Sequence, residues 1–358
     1  MMGNRFERGV SISELDIAWE RFHQTGLEWG DGFANHGPMA AQALEALGHP
    51  SLIPGFVDRY APRLPPAQQG HPLAEDERAG ALGVSERSAD WVATWEQELA
   101  RRPWPEVVAE VVPGLLPGVF ASAAHGLLRT MHAVRGLAET DTPVRRRELA
   151  HGLGVWAGTY QELPGTPGSA ASAGSRRLTD LAPVSEALRS GGAFTERVGA
   201  LDSHAAYAEW VAALDLEGEP GGLLSELVVE AAGLYLQHPN ARIAYCHAVT
   251  APAAVRVLAP LLPGDAVRQA IGRAYQAAGA LHAISFAPCP PDPEERSEAE
   301  RMKDDPRETR YRAACSLDDH AIKLAEACLR EDSLAGAPEL RLAAADAALH
   351  MGGPQRSC

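Results

Sequence analysis

The sequence predicts an all-α protein: a large multi-helical single domain. Three observations predict it. Apolar residues recur at spacings of three and four from end to end, clean period-two alternation is scarce, and Gly and Pro punctuate the apolar stretches where helices would stop. The 358 residues, 46% hydrophobic, are enough for a large buried core. One domain is expected over 1–358, with its core at roughly 11–349.

Taken in order, the spacing predicts helices at roughly 11–25, 37–48, 89–101, 105–136, 143–161, 180–191, 204–214, 223–237, 240–261, 265–283, 316–330 and 337–349. Asn35 is placed to cap the second helix, Pro38 helps to open it, and Gly48 stops it after ALEAL. Pro113 and Pro117 should kink or split 105–136, and Pro252 should interrupt 240–261. The stretch LPGTPGSAASAGSRR (163–177) reads as a mobile loop. The stretch 287–310, Pro-rich and then densely charged, reads as a second loop, either a solvated excursion or a lid. There is no internal repeat, and no glycine-rich nucleotide loop stands in a strand–turn–helix context.

A net charge of −15 argues against non-specific nucleic-acid binding, which needs a basic face against phosphates. No run of about 18 apolar residues occurs, so no membrane-spanning helix is expected. The opening MMGNRFERGVSISELD lacks the apolar centre of a secretory signal, and the cytoplasm is the expected location. The five cysteines (Cys246, Cys289, Cys315, Cys328, Cys358) are scattered with no CxxC, which suits reduced thiols better than a disulfide framework or a thiolate zinc site.

Lysine is nearly absent: Lys303 and Lys323 are the two among 32 basic residues, the rest being arginine. A high-GC genome explains the bias. A surviving lysine is then one that arginine cannot replace.

Of 13 histidines, His23, His49, His71, His151, His204, His238 and His350 have polar, Pro or Gly neighbours, where a surface or capping role suffices. Others lie in apolar helical surroundings. His36 stands in GFANHGPMAAQALEAL, where capping or packing is the plain alternative to a functional role. His125 and His132 share a face in ASAAHGLLRTMHAVRGL, but two turns, roughly 10 Å, is too far for one ion bonded at about 2 Å. One is expected as ligand, the other as neighbour; small residues flank His125. His247 lies in ARIAYCHAVTAPAAVRVL, and His282 is a spare beside the second loop.

The most informative stretch is SLDDHAIKLAEACL. Ser316 and Asp319 stand in capping-box-like positions, and His320 and Lys323, at i and i+3, share a face of an apolar helix. A buried lysine must pair, lose its proton or be modified. A pair with Asp318, Asp319 or Glu326 is the plain reading. The sharper one is a Lys323 carbamate formed with CO₂, an anionic oxygen ligand that arginine cannot make. Asp319 is then placed to orient a histidine N–H.

Several segments in order, NHGPMAAQALEALG, HGLLRTMHAVRGL, GVWAGTYQELPG, HAVTAPAAVRVLAPLLP and DDHAIKLAEA, together resemble the questin oxidase family over roughly residues 15–330. The resemblance implies a helical oxygenase acting on an aromatic polyketide such as an anthraquinone by a Baeyer–Villiger-like or ring-cleaving step. It implies a non-haem iron, Fe(2+), held by histidines and a modified lysine: here His36, His125, His247, His320 and Lys323, with NADPH as an external electron donor in some family reactions. Four imidazoles and a carbamate oxygen form a mixed N/O set suited to that ion. Trp29, Phe33, Phe120, Trp156, Tyr160 and Tyr245 are candidates to wall a pocket for a flat substrate, with core packing as their plain reading. Two alternatives stay open: a metal-dependent hydrolase with a carboxylated lysine, and a non-catalytic helical binding protein whose histidines are merely packed.

Overall fold

Ser13 opens the first helix: its hydroxyl accepts the backbone N–H of Asp16, satisfying one of the donors that a helix start leaves free. The computed structural model describes residues 13–351 apart from 31, 192, 193 and 286. Among these residues there are eighteen α-helices and one short hairpin. The predicted start at 11 and Cys358 lie outside the described residues.

The first group comprises α1 (Glu14–Phe22), strands β1 (Glu28–Trp29) and β2 (Phe33–Ala34), α2 (Gly37–Ala46), α3 (Ile53–Tyr60), α4 (Glu75–Ala81) and α5 (Ser88–Arg101). The middle holds α6 (Trp104–Leu115), α7 (His125–Glu139), α8 (Pro143–Gly158) and three short helices, α9 (Glu186–Gly191), α10 (Phe194–Gly199) and α11 (Ala205–Ala212). Long helices follow: α12 (Pro220–Gln237), α13 (Arg242–Leu258) and α14 (Gly264–Ile284). The last are α15 (Pro293–Met302), α16 (Pro306–Ser316), α17 (Asp319–Ala335) and α18 (Pro338–His350). No helix among the described residues is long and apolar enough to cross a membrane.

Four of these helices form a closed ring of neighbours: α2 packs on α7, α7 on α13, α13 on α17, and α17 back on α2. Around the ring, α8 lies against α5 and α7, and α12, α14 and α18 cover the far side. Buried apolar side chains form one cluster that extends from Leu15 to Ala348. The α7–α8 crossing is close because it uses glycine. A Cβ on Gly126 would lie 2.5 Å from the Trp156 Cα, and one on Gly152 would lie 2.7 Å from the Thr130 nitrogen.

The structure departs from the sequence reading in instructive places. The stretch 287–310 is not a loop: it holds α15 and the start of α16. Asp292 accepts the N–H groups of Glu294 and Glu295, Asp305 those of Arg307 and Glu308, and each is followed by proline in the first turn. The two Asp-Pro pairs are helix starts that composition disguised. Pro252 does not interrupt α13, which runs through it and leaves the Ala248 carbonyl without its usual i+4 donor. Pro113 likewise lies inside α6, and the break falls after Leu115, with Pro117 in a 3-10 turn. The loop 163–177 is tethered, since Gly168, Ala170 and Gly174 donate to the Val211, Ala212 and Ala213 carbonyls. Among the described residues, Cys246, Cys315 and Cys328 are free thiols.

Candidate metal centre

Each helix of the ring contributes one histidine near its start or on its inward face: His36 at the cap of α2, His125 at the first position of α7, His247 on α13 and His320 on α17. The rings converge. Centroids lie 4.5 Å apart for His36 and His125, 4.5 Å for His125 and His247, 4.6 Å for His36 and His320, and 5.7 Å for His247 and His320. One ligating atom from each of His36, His125 and His247 falls within 4.8 Å of the others.

What those atoms meet decides how the cluster reads. Asp319 Oδ1 accepts from His36 Nδ1 at 3.1 Å and lies 2.6 Å from His320 Nδ1, so one carboxylate oxygen contacts both imidazoles. His125 Nδ1 donates to the Ser122 carbonyl. His36 Nε2 and His125 Nε2 are left as lone pairs, yet they face each other at 2.5 Å. Burial pushes His36 down to about 3 and holds His125 far below the usual range, so neither ring is a cation. His320 Nε2 and His247 Nδ1 are also buried with no partner. Burial keeps His247 neutral as well. Asp319 is ionised: burial pushes its carboxyl up, but the adjoining His320 and His36 outweigh that and hold it well below the usual range. His36, His125 and His247, and separately His36, Asp319 and His320, are groups that could hold a metal ion.

Lys323 is buried on α17 one turn from His320. The three carboxylates that could pair with it are engaged elsewhere. Asp318 caps α17 by accepting the His320 and Ala321 N–H groups, Asp319 holds two imidazoles, and Glu326 ion-pairs with Arg135 and Arg330. The Nζ has no hydrogen-bond partner, and burial lowers its pKa. Burial therefore disfavours the charged form of this amine. The cap also corrects the sequence reading. Ser316 ends α16, Leu317 takes the left-handed conformation, and Asp318 is the cap, which frees Asp319 to face the histidines.

The turn that delivers His125 is strained. Ser122, Ala123 and Ala124 carry φ of 48°, 56° and 70°, three successive non-glycine residues in the left-handed region. Such a run costs roughly 1–2 kcal/mol per residue. It places the Ser122 carbonyl on His125 Nδ1 and is the kind of strain that surrounding structure holds at functional sites.

The other histidines sort cleanly. His132 does not join the cluster: its Nδ1 donates to Gln42 Oε1 at 2.7 Å. His282 Nδ1 accepts from the Tyr245 hydroxyl. His23, His151 and His238 are buried, not at the surface as their neighbours suggested. His23 and His151 belong to a polar group missed by the sequence reading. His23 Nε2 lies 2.9 Å from Glu148 Oε2, Arg129 binds both Glu148 oxygens at 2.6 and 3.0 Å, and Arg129 Nη2 also donates to His151 Nδ1. The signal available was HGLGVWAG, whose small residues let α8 approach α7.

Of the aromatic candidates, Phe120, Trp156 and Tyr245 are core residues, and the Tyr160 hydroxyl donates to Glu162. Trp29 and Phe33 differ. Their rings lie 5.4 Å apart on the hairpin leading into His36, and Phe33 is 61% exposed. The Tyr60 hydroxyl accepts the His36 N–H and is hydrogen-bonded by the Trp29 side chain, which ties the hairpin to the centre. Comparison with protein-family models and with curated proteins finds no match for this chain.

Proposed function

We propose that this chain is a mononuclear non-haem iron oxygenase of the questin oxidase type, acting on a flat, electron-rich aromatic polyketide such as an anthraquinone or its quinol. The observation that carries the proposal is the convergence of one ligating atom each from His36, His125 and His247 within 4.8 Å, with His320 Nε2, His247 Nδ1 and the Lys323 amine buried and without partners. His36, His125, His247 and His320 would hold the ion. Lys323, as its carbamate, would add an anionic oxygen: the neutral amine attacks CO₂, forms an N–C bond and releases one proton. Iron(II) bound there would supply a position for dioxygen beside the substrate ring, with NADPH as external reductant where the reaction needs one.

The chain's own contributions follow from its geometry. Asp319 and the Ser122 carbonyl fix the imidazole tautomers so that Nε2 of His36 and of His125 is free to bind. The Asp319 and His320 side chains, 16% and 17% exposed, mark the open side of the centre. The Trp29–Phe33 pair offers an aromatic face to a flat substrate there.

The test is elemental analysis of protein purified anaerobically without added metal, with Lys323→Ala and His320→Ala beside it. Near-stoichiometric iron, lost in both variants, followed by oxygen uptake with anthraquinones or anthraquinols, is the expected result. Zinc in its place moves the reading to a carbamate-dependent hydrolase. Absence of any metal leaves a helical binding protein.

A further inference from the structure

A second feature lies apart from the metal centre, in a cleft of about 630 Å³ between the loop after α8, the turn after α11 and the first half of α14. None of the histidines of the centre lines it. Arg273 does, and it is 8% exposed. Among the described residues Arg273 makes no ion pair, and its Nε is buried without a hydrogen-bond partner. Its one bond is from Nη1 to Gln276 Oε1 at 2.8 Å. Gln276 is itself immobilised: its Nε2 lies 3.0–3.1 Å from the Leu163, Pro164 and Gly165 carbonyls. The guanidinium is thus held by one corner, while the Nε–Nη2 edge, the fork that matches a carboxylate, lacks an acceptor.

We propose that this cleft binds the carboxylate of a small organic acid, with Arg273 as the two-point partner and Arg268 at the rim. Acidic residues also line the cleft, and they set the charge of the ligand. Asp215 is engaged by Arg176 at 3.3 Å, while Glu217 and Asp265 are exposed and screened by solvent. The buried Arg273 charge acts in a lower dielectric and dominates at the base of the cleft. A single unmatched positive charge behind an acidic rim suits a monoanion and disfavours a phosphate dianion. The volume accepts an organic acid of ordinary ligand size.

The test uses the full chain with benzoate and inorganic phosphate as probes, by calorimetric titration and by soaking crystals with benzoate. The expected result is one benzoate per chain with its carboxylate on Nε and Nη2. Arg273→Lys, which keeps the charge and loses the fork, should weaken binding about tenfold, and the exposed Arg268→Gln about twofold. Phosphate should bind more weakly than benzoate. Equal benzoate affinity in wild type and Arg273→Lys overturns the proposal. So does a soaked wild-type crystal with only water at Nε, which decides the matter even where Arg273→Lys fails to fold. Tighter binding of phosphate overturns the carboxylate assignment.

Discussion

Replacing Asp319 tests the metal centre where its design is most economical. One oxygen, Oδ1, accepts from His36 Nδ1 and contacts His320 Nδ1. Losing the acceptor behind a single metal-bound imidazole typically costs 10- to 100-fold in metal affinity. Asp319→Ala removes it from two, so the expected loss is at the upper end, about 100-fold, or ~2.7 kcal/mol. Asp319→Asn keeps an oxygen in place without its charge, and about tenfold is expected. The cap of α17 comes from Asp318, so helicity by circular dichroism should not change in either variant. The assay is anaerobic competition for Fe(II), and separately Zn(II), between the protein and a chelator of known affinity. An Asp319→Ala protein that is folded and binds both metals within about threefold of wild type would refute the reasoning, because the two imidazoles would then not depend on their shared carboxylate.

Four further outcomes are expected. Lys323→Arg keeps a cation but forms no carbamate, so it should lose bound metal; ¹³C-bicarbonate should give a carbamate resonance in wild type only. Ala123→Gly should raise stability by about 0.5–1 kcal/mol, since relief of the left-handed penalty exceeds the added unfolded-state entropy, as read from denaturant midpoints at unchanged slope. Breaking the buried Arg129–Glu148 pair with Arg129→Met should cost about 3–5 kcal/mol by the same assay, because Glu148 is left as an uncompensated buried charge. Glu45 is raised from 4.5 to about 7 by burial and then by the adjacent Glu139, so its ionisation opposes folding as pH rises through that window. Its partial exposure reduces the effect to about 1 kcal/mol, and Glu45→Gln should melt higher than wild type at pH 8 but not at pH 5.

The fold class was legible because helical periodicity survives in sequence wherever one face is buried. The i, i+3 pairing of His320 with Lys323 was legible as well, whereas six histidines shared an apolar helical context and the family resemblance was what singled out His36, His125, His247 and His320 among them. Two kinds of signal misled. Asp292-Pro293 and Asp305-Pro306 lie in charged stretches that look like loop, although an acceptor followed by proline is what a helix start needs. In the SLDD segment, the choice between Ser316 and Asp318 as cap depends on Leu317 turning left-handed, which no local pattern announces. The burial of His23 and His151 was illegible for a different reason: their partners, Glu148 and Arg129, come from residues whose proximity depends on glycine contacts between α7 and α8.

The two buried histidine groups, set side by side, show why one of them points to a metal. Both lie against α7, and in both a carboxylate orients imidazoles. Around Glu148 the cation is already present: the Arg129 guanidinium binds both carboxylate oxygens and donates to His151 Nδ1. That donation leaves the His151 proton on Nε2, so the ring cannot also present that lone pair to an ion. A metal would have to displace an arginine that satisfies three acceptors. Around Asp319 no arginine enters; the cation nearest in the fold is Lys323, whose Nζ has no partner and whose charge burial disfavours. Facing imidazole lone pairs and an amine biased toward neutrality form a set of donors with nothing to receive them. The first group already contains its own cation, although His23 Nδ1 and Arg129 Nη1 are left without partners and its three ligating residues could also hold a metal ion. In the second, the His320 Nε2, His247 Nδ1 and Lys323 Nζ atoms have no partner within the chain, and an ion from outside it would supply one.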